Sequence, residues 1–415
     1  MTENFSICQT CFEAGVAAAD PAAALRKALT SHPDLHPGGG RLLLIAIGKA
    51  AAPMMREALV HLTPDQAFLV TNYENAVDIA GVECRAAGHP TPDEAGASAA
   101  GEIISLLACL GGKDRVILLL SGGGSALVPA PVAGVSLADK IAVNDLMLAS
   151  GAPIDAINTV RKRLSRLKGG GFAGLAAPAD VVSFVLSDVP GDDMATVASG
   201  PTVANADESD AAANVLRSYG VWDEAPASVR QALGDPGDNI AAPATNILIG
   251  GNAPSVDAME QVATQSGQGV VLRHRGWLDG DVADAANRIV ADMRAAPRPA
   301  VLLYGGETTV VVTGTGKGGR NQDLALRIAL LLEAKPLPGE WAFLSGGTDG
   351  RDGPTDAAGG MVTAHTLSAI RSGGADPAAA LRNNDAYAAL KAGQALLMTG
   401  ATGTNVADLQ VAVVR

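Results

Sequence analysis

Val116-Ile-Leu-Leu-Leu120-Ser-Gly-Gly-Gly-Ser125 is an unbroken apolar run that stops abruptly in small polar residues. Five apolar side chains without alternation suit a strand buried on both faces, as in a parallel sheet covered by helices. The construction recurs along the chain. Arg41–Ile47 runs into Gly48-Lys49-Ala50-Ala51, and Ile247–Ile249 into Gly250-Gly251-Asn252-Ala253. Val301–Tyr304 runs into Gly305-Gly306-Glu307-Thr308, and Trp341–Leu344 into Ser345-Gly346-Gly347-Thr348-Asp349-Gly350. Ala- and Leu-rich helical stretches separate these runs. The pattern predicts an α/β chain with mainly parallel sheets. Polar loops at five strand ends predict a shared ligand-binding cleft, because open α/β sheets bind ligands beyond the carboxyl ends of their strands.

The 415 residues are enough for two or three domains. Hydrophobic content is 48% but aromatic content only 3%, so the core is built from Ala, Val, Leu and Ile. After an acidic excursion over Val203–Asn239, a fresh strand–helix alternation begins at Ala244, which divides the chain into 1–240 and 241–415. The net charge of −13 and the lack of a basic stripe exclude nucleic acid and an anionic membrane surface as partners. No apolar run approaches the roughly 18 residues of a spanning helix. The start, MTENFSICQTCFEAG, lacks a basic region followed by an apolar stretch, so a cytoplasmic setting is expected. Cys8 and Cys11 form a CxxC in a helical stretch with no second ligand pair, which argues against zinc.

Several stretches carry residues suited to anions or a metal. In Ser121, Gly122, Gly123, Gly124 and Ser125, backbone amides suit a di- or triphosphate, although the loop lacks the Gly-Lys-Ser/Thr of a P-loop and also reads as a tight turn. Lys49 opposes the dipole of the helix it begins, which makes sense if both hold an anion; otherwise it turns to solvent. Gly316-Lys317-Gly-Gly-Arg320-Asn-Gln322 sets two cations among glycines, as in a phosphate- or carboxylate-binding loop or a surface hairpin. Ser187-Asp188-Val-Pro-Gly-Asp192-Asp193 follows the expected strand Val181–Leu186 and offers three carboxylates to magnesium or to general-base chemistry, or forms an Asx-rich turn. Asn158–Arg163 and Lys168–Gly171 gather cations at a helix and its carboxyl end, a favourable place for them anyway; Arg161 is the candidate ligand contact. His89, in Gly-His-Pro-Thr-Pro-Asp, is a turn residue or a substrate contact. Asp349, Asp352 and Asp356 share a loop that suits substrate or metal but lacks the terminal Glu of an EF-hand. Thr399–Asn405 is glycine-spaced and polar, as nucleotide-contacting loops and plain turns both are.

Taken in order, these stretches resemble the glycerate 2-kinases of the MOFRL type. The matching pieces are Gly48-Lys-Ala-Ala51, His89-Pro-Thr-Pro-Asp93, Ser121–Leu127, Asn158-Thr-Val-Arg161, Lys168-Gly-Gly, Ser187–Asp193 and Ala198-Ser-Gly-Pro-Thr202. They continue with Gly318-Gly-Arg-Asn-Gln322, Gly347-Thr-Asp-Gly350, Gly353–Gly359 and Thr402-Gly-Thr-Asn405, so that the likeness spans nearly the whole chain. Arg163, Ala401 and Ala407 stand where histidine, proline and asparagine are usual.

The resemblance implies a larger Rossmann-like N-terminal domain, a smaller α/β C-terminal domain and an active site in the cleft between them. It implies ATP-dependent, Mg²⁺-dependent phosphorylation of D-glycerate at its 2-hydroxyl, by a monomer or homodimer. Lys49 and Arg320 would stabilise the transferred phosphoryl group. Ser121–Ser125, Asn321, Thr404 and Asn405 would contact the nucleotide, and His89, Arg161 and Asp349 the glycerate. Asp188, Asp192 and Asp193 would hold the metal, with Asp188 the candidate base.

The rival is an NADH-dependent hydroxypyruvate reductase, favoured by Gly314-Thr-Gly-Lys-Gly-Gly319. That fingerprint needs an acid at the end of the next strand, about 20 residues on, and Glu333 falls in the expected helix Asp323–Glu333. A solute-binding protein would need a signal sequence.

Overall fold

The computed structural model describes residues 3–206, 210–234 and 242–415. The expected division at residue 240 lies outside these. Two compact units are present. One holds the described residues of Pro21–Ser187 and Asp192–Ile249; the other holds the chain up to Asp20, Asp188–Gly191 and Gly250–Arg415.

The first unit is built on β1 (Leu42–Ile47), β2 (Gln66–Asn72), β3 (Glu83–Ala87), β4 (Arg115–Leu120), β5 (Asp180–Leu186) and β6 (Thr245–Gly250), in spatial order β3-β2-β1-β4-β5-β6. The β1–β2, β1–β4, β2–β3 and β4–β5 pairings are parallel. All six residues of β1 are buried, as the unbroken apolar run requires. Sequence order reverses between β1 and β4, which lie side by side with Ile47 opposite Leu120. The loops after both strands therefore leave the sheet together. Connecting helices include α2 (Pro21–Ser31), α3 (Ala51–His61), α4 (Glu94–Ala108), the short α5 (Gly124–Leu127) and α8 (Gly171–Ala176), α1 (Glu3–Ala18) belonging to the other unit. Asp93 caps α4 by accepting the Gly96 amide at 2.9 Å. A satellite cluster forms where α6 (Leu137–Ala149), α7 (Ile154–Arg163), α9 (Ala211–Ser218) and α10 (Ala227–Gly234) bury Val143, Met147, Val160, Leu216 and Val229.

The second unit contains α11 (Asn252–Gln265), β7 (Val270–Arg273), α12 (Val282–Ala295), β8 (Ala300–Gly306), α13 (Arg320–Ala334), β9 (Trp341–Gly347) and β10 (Gly359–Thr363). It ends with α14 (Thr366–Ser372), α15 (Pro377–Arg382), α16 (Ala386–Ala392), β11 (Leu396–Leu397) and β12 (Asp408–Val414). Its sheet order is β11-β10-β9-β12-β8-β7. Only β7–β8 is parallel; β8–β12, β12–β9, β9–β10 and β10–β11 are antiparallel. The expectation of mainly parallel sheets thus fails here. The last strand inserts between β8 and β9, and an apolar run carries no information about its direction.

Helix α1 packs with α11 on one face of this sheet, burying Phe12, Met259, Leu344 and Val411. Cys8 and Cys11 lie in that core, and burial pushes the Cys11 thiol up to about 11. They act as small apolar residues. Among the described residues, no helix is long and apolar enough to cross a membrane.

Candidate functional site

Two clusters of functional side chains form, one in each unit. In the first, the loops after β1 and β4 are laced together. The Lys49 amide donates to the Gly122 carbonyl at 2.9 Å, and the Ser121 hydroxyl accepts the Ala50 amide at 3.1 Å. Gly48, at φ 129°, has no room for a side chain: a Cβ would lie 2.2 Å from Ser121 Oγ. Gly123, at φ 87°, faces both Lys49 and His89, since a Cβ there would lie 3.3 Å from Lys49 Cγ and 3.2 Å from His89 Cδ2. The fold thus brings Lys49, His89 and the glycine loop together. Burial, then the charge of Lys49, lowers the His89 pKa to about 4. His89 is therefore a neutral hydrogen-bonding group at pH 7.

Ser125 continues this cluster inward. Its hydroxyl accepts from Lys168 Nζ at 2.5 Å and lies 3.4 Å from Ser199 Oγ, which in turn donates to Asn158 Oδ1 at 3.3 Å. Ala198 and Ser199 adopt φ of 50° and 62°. Left-handed backbone costs a non-glycine residue roughly 1–2 kcal/mol. The segment is held there by the Gly169 amide on Ser199 O at 3.0 Å and the Gly170 amide on Gly200 O at 2.8 Å. Held strain of this kind concentrates at functional sites. Beside it opens a cavity of about 390 Å³, bordered by His89, Gly123, Ser125, Lys140, Arg161 and Lys168. Arg161 borders this cavity, with Nε donating to Asn144 Oδ1 at 2.9 Å. Lys140 had no signal in the motifs.

The acidic loop after β5 divides its carboxylates among different tasks. Asp193 accepts the Ala195 amide at 3.0 Å and the Thr196 hydroxyl at 2.9 Å, so both its oxygens hold the turn. Asp192 sits at φ 53°, after Gly191 at 71°. Asp188 and Asp192 each have polar interactions of their own. Among the described residues, no three His, Cys, Asp or Glu side chains gather as a metal-binding group.

In the second unit, Arg320 opens α13. Its guanidinium grips Asp408 with Nε at 2.6 Å and Nη2 at 2.9 Å, and Nη1 reaches Glu307 at 3.1 Å. Burial alone would lower the arginine pKa, but Asp408 and Glu307 outweigh it and raise it further. Asp352 accepts the Asn321 and Gln322 amides at 3.1 and 2.8 Å, satisfying the first turn of α13. Burial, then Asp408, pushes the Asp352 pKa up to about 7. Gly319 must be glycine, because a Cβ would sit 2.2 Å from Asp352 Oδ1. Asn252, in the same unit, donates to the carbonyls of Val406 and Asp408 at 2.8 and 3.0 Å.

The other predicted contacts here also make hydrogen bonds within their own unit. Asn321 is buried and accepts the Ser345 hydroxyl at 2.5 Å, and buried Thr404 donates to Ala19 O at 2.5 Å. Asn405 accepts the Ala407 amide at 3.3 Å, and Asp349 the Arg351 amide at 2.9 Å. The decisive partner, Asp408, was not among the sequence candidates.

The dinucleotide string at 314–319 follows no strand. Its glycines make room for a neighbouring loop: a Cβ on Gly314 would lie 2.3 Å from Asn383 O, and one on Gly316 2.4 Å from Asp385 Cβ. Glu333 lies in α13 and pairs with Arg371 at 2.6 Å. The context of a nicotinamide site is missing on both counts.

Residues 7–234 match a domain of unknown function (DUF4147), and residues 300–408 match the MOFRL family. The chain belongs to the glycerate 2-kinase family that carries the MOFRL domain. It is 41% identical to a D-glycerate 2-kinase of Thermotoga maritima over 90% of this chain and 91% of that one. A glycerate 2-kinase of Pyrococcus horikoshii is 37% identical over 90% and 88%. An Agrobacterium vitis relative, 38% identical over 97% and 93%, carries a provisional hydroxypyruvate reductase name. The crystal structure of the Thermotoga maritima glycerate kinase superposes with a TM-score of 0.88, covering 99% of both chains at 38% identity.

Proposed function

We propose that this glycerate 2-kinase transfers the γ-phosphoryl group of ATP to the 2-hydroxyl of D-glycerate. One observation carries the reading: Lys49, His89 and Gly123 converge where the order of strands reverses, in a chain with two relatives over nine-tenths of its length that are named glycerate 2-kinases. The order β3-β2-β1-β4-β5-β6 supports a Rossmann-like N-terminal domain, which binds ligands at that reversal.

Phosphoryl transfer needs positioning and charge stabilisation more than covalent help. In this reading the Ser121–Ser125 loop cradles phosphates, with Lys49 beside it as a mobile point charge. Arg320, fixed in orientation by Asp408, presents a charge that costs little reorganisation when the transition state forms. Neutral His89 orients a substrate oxygen by a hydrogen bond, and Asp349 is a further candidate for glycerate. Asp188, Asp192 and Asp193 are the carboxylates proposed for Mg²⁺, Asp193 also holding its turn. One or two carboxylates completed by phosphate oxygens is an ordinary magnesium donor set. The metal, when bound, would neutralise charge on the β- and γ-phosphates. Asp188 is also the candidate to accept the hydroxyl proton. A cytoplasmic supply of ATP suits this activity.

The test is turnover of D-glycerate with ATP and Mg²⁺, coupled through enolase, which accepts the 2-phosphate and not the 3-phosphate. NADH oxidation with hydroxypyruvate runs in parallel. Silence in the first assay with NADH consumed in the second would overturn the proposal.

A further inference from the structure

Three cations meet in the N-terminal unit. Lys140, on α6, is 9% exposed and Lys168 is 5% exposed; Arg161, on α7, is half-buried. Their hydrogen-bond partners are all neutral. Lys140 Nζ donates to Leu164 O at 3.2 Å, Arg161 Nε to Asn144 Oδ1, and Lys168 Nζ to the carbonyl and hydroxyl of Ser125. Among the described residues, none of the three forms an ion pair. They are close enough to destabilise one another: Arg161 adds to the burial that lowers Lys140, and both Lys140 and Arg161 add to the burial that lowers Lys168.

A purely structural role explains this poorly. A lysine that only tops up a carbonyl keeps a buried charge that an apolar side chain would avoid. The arrangement makes sense if an anion arrives to share the three charges. All three line the 390 Å³ cavity, which Asp145 also borders and much of whose remaining wall is apolar: Val143, Met147, Ile157 and Val160. Leu148, 55% exposed, also borders it. Glycerate, a three-carbon acid, would leave most of this space empty and has no group for the apolar wall. A ligand with an apolar ring system and several negative charges fits both halves.

We infer that this cavity takes the adenine nucleotide, with adenosine against Val143, Met147, Ile157 and Val160 and the phosphate chain on Lys140, Arg161 and Lys168. The inference rests on the kinase reading. It moves Arg161 from glycerate to nucleotide and adds Lys140 and Lys168 to the nucleotide contacts. Ser125 and Gly123 border the same cavity, so the phosphate chain would run from the cation cluster onto the glycine loop.

The experiment is calorimetric titration of the full chain with ADP, without glycerate, in the wild type, Lys140→Met, Arg161→Met and Arg161→Lys. Inorganic tripolyphosphate, titrated in parallel, reports the phosphate half alone. Each Met variant is expected to weaken ADP roughly tenfold or more, the loss of a charged hydrogen bond. Arg161→Lys should weaken it less. Tripolyphosphate should bind the wild type more weakly than ADP and suffer the same losses. The Michaelis constant for ATP should rise while that for glycerate holds. Lys140→Met should melt no lower than the wild type, since it removes an unpaired buried charge. Unchanged ADP affinity in both Met variants, with 2-phosphoglycerate still formed, would overturn the cavity assignment and leave the kinase reading standing. Failure of the wild type both to bind ADP and to form 2-phosphoglycerate would overturn both.

Discussion

Arg320 lies fork-on to Asp408, a carboxylate with no solvent exposure, so the guanidinium is fixed in plane and direction by two short hydrogen bonds. Its third contact, Glu307, is 46% exposed. The two acids should therefore contribute very differently. Asp408→Ala leaves a half-buried cation without its main partner and should cost about 3 kcal/mol, the low end for breaking a buried pair because water still reaches the arginine. Glu307→Gln removes a surface pair and should cost about 1 kcal/mol or less. Urea unfolding would measure both. Equal losses would mean that Asp408 is not the anchor.

Lys49 and Arg320 should both show in kinetics, and Arg320→Ala should also cost stability because it leaves the buried Asp408 carboxylate without its main partner. Lys49→Ala and Arg320→Ala are each expected to lower kcat about 10²–10³-fold, the usual effect of removing an oriented charge at a developing anion. Lys49→Arg should recover part of it, since the lysine acts as a point charge; Arg320→Lys should recover little, because one ammonium cannot reproduce the fork on Asp408. Steady-state kinetics with circular dichroism as a folding control would decide. Near-normal kcat in a folded Arg320→Ala protein would remove Arg320 from the mechanism.

The sequence was most legible where chemistry and backbone punctuation coincide. Leu120 running into Ser121-Gly-Gly-Gly announces a strand end, and β4 stops there. Lys49, His89 and the glycine loop were identified singly, and strand pairing explains why they meet. Asp408 was not legible, because it starts an apolar strand far along the chain from Arg320 and only the antiparallel insertion of β12 joins them. Lys140 reads as a surface residue of Leu-Ala-Asp-Lys-Ile-Ala-Val-Asn-Asp. One signal could have exposed it: Lys140, Val143 and Met147 share helical spacing, and all three are buried. Asn321 and Thr404 sit in binding-like motifs, and the hydrogen bonds that tie them to Ser345 and Ala19 were not legible there.

Lys140 also gives the protein a pH signature. Burial, then Arg161, lowers its pKa from the usual 10.5 to about 7. Between those values the unfolded chain binds more protons than the folded one, so this group makes the free protein more stable as pH rises through that window. A bound polyanion reverses the preference, because it favours the charged lysine. Nucleotide binding should therefore take up a proton, and ADP affinity should fall as pH rises from about 7 to about 9. Lys168 and Arg161 face the same space and their pKa values are also lowered, while His89 and Asp145 line the cavity as well. Titration in buffers of different ionisation heat would show the uptake, and Lys140→Met should reduce it. Uptake unchanged by that substitution would assign the proton elsewhere.

Ala407, immediately before Asp408, carries the last prediction. Its φ is 66°, and its carbonyl accepts both the amide and the hydroxyl of Thr348, at 3.0 and 2.7 Å. Those bonds lock a left-handed turn that alanine adopts only with steric cost. Glycine relieves that cost of about 1–2 kcal/mol but gives back about 0.5–1 kcal/mol through the freer unfolded chain. Ala407→Gly should therefore raise stability by about 0.5–1 kcal/mol, the difference between those two effects. Ala407→Val adds a branched Cβ to the same conformation and should destabilise clearly. Both should appear as opposite shifts in melting temperature. The direction matters for the site, because this turn launches β12 and so sets where Asp408 meets Arg320. A lower melting temperature for Ala407→Gly would show that the turn is not strained, and that Asp408 is placed by the strand alone.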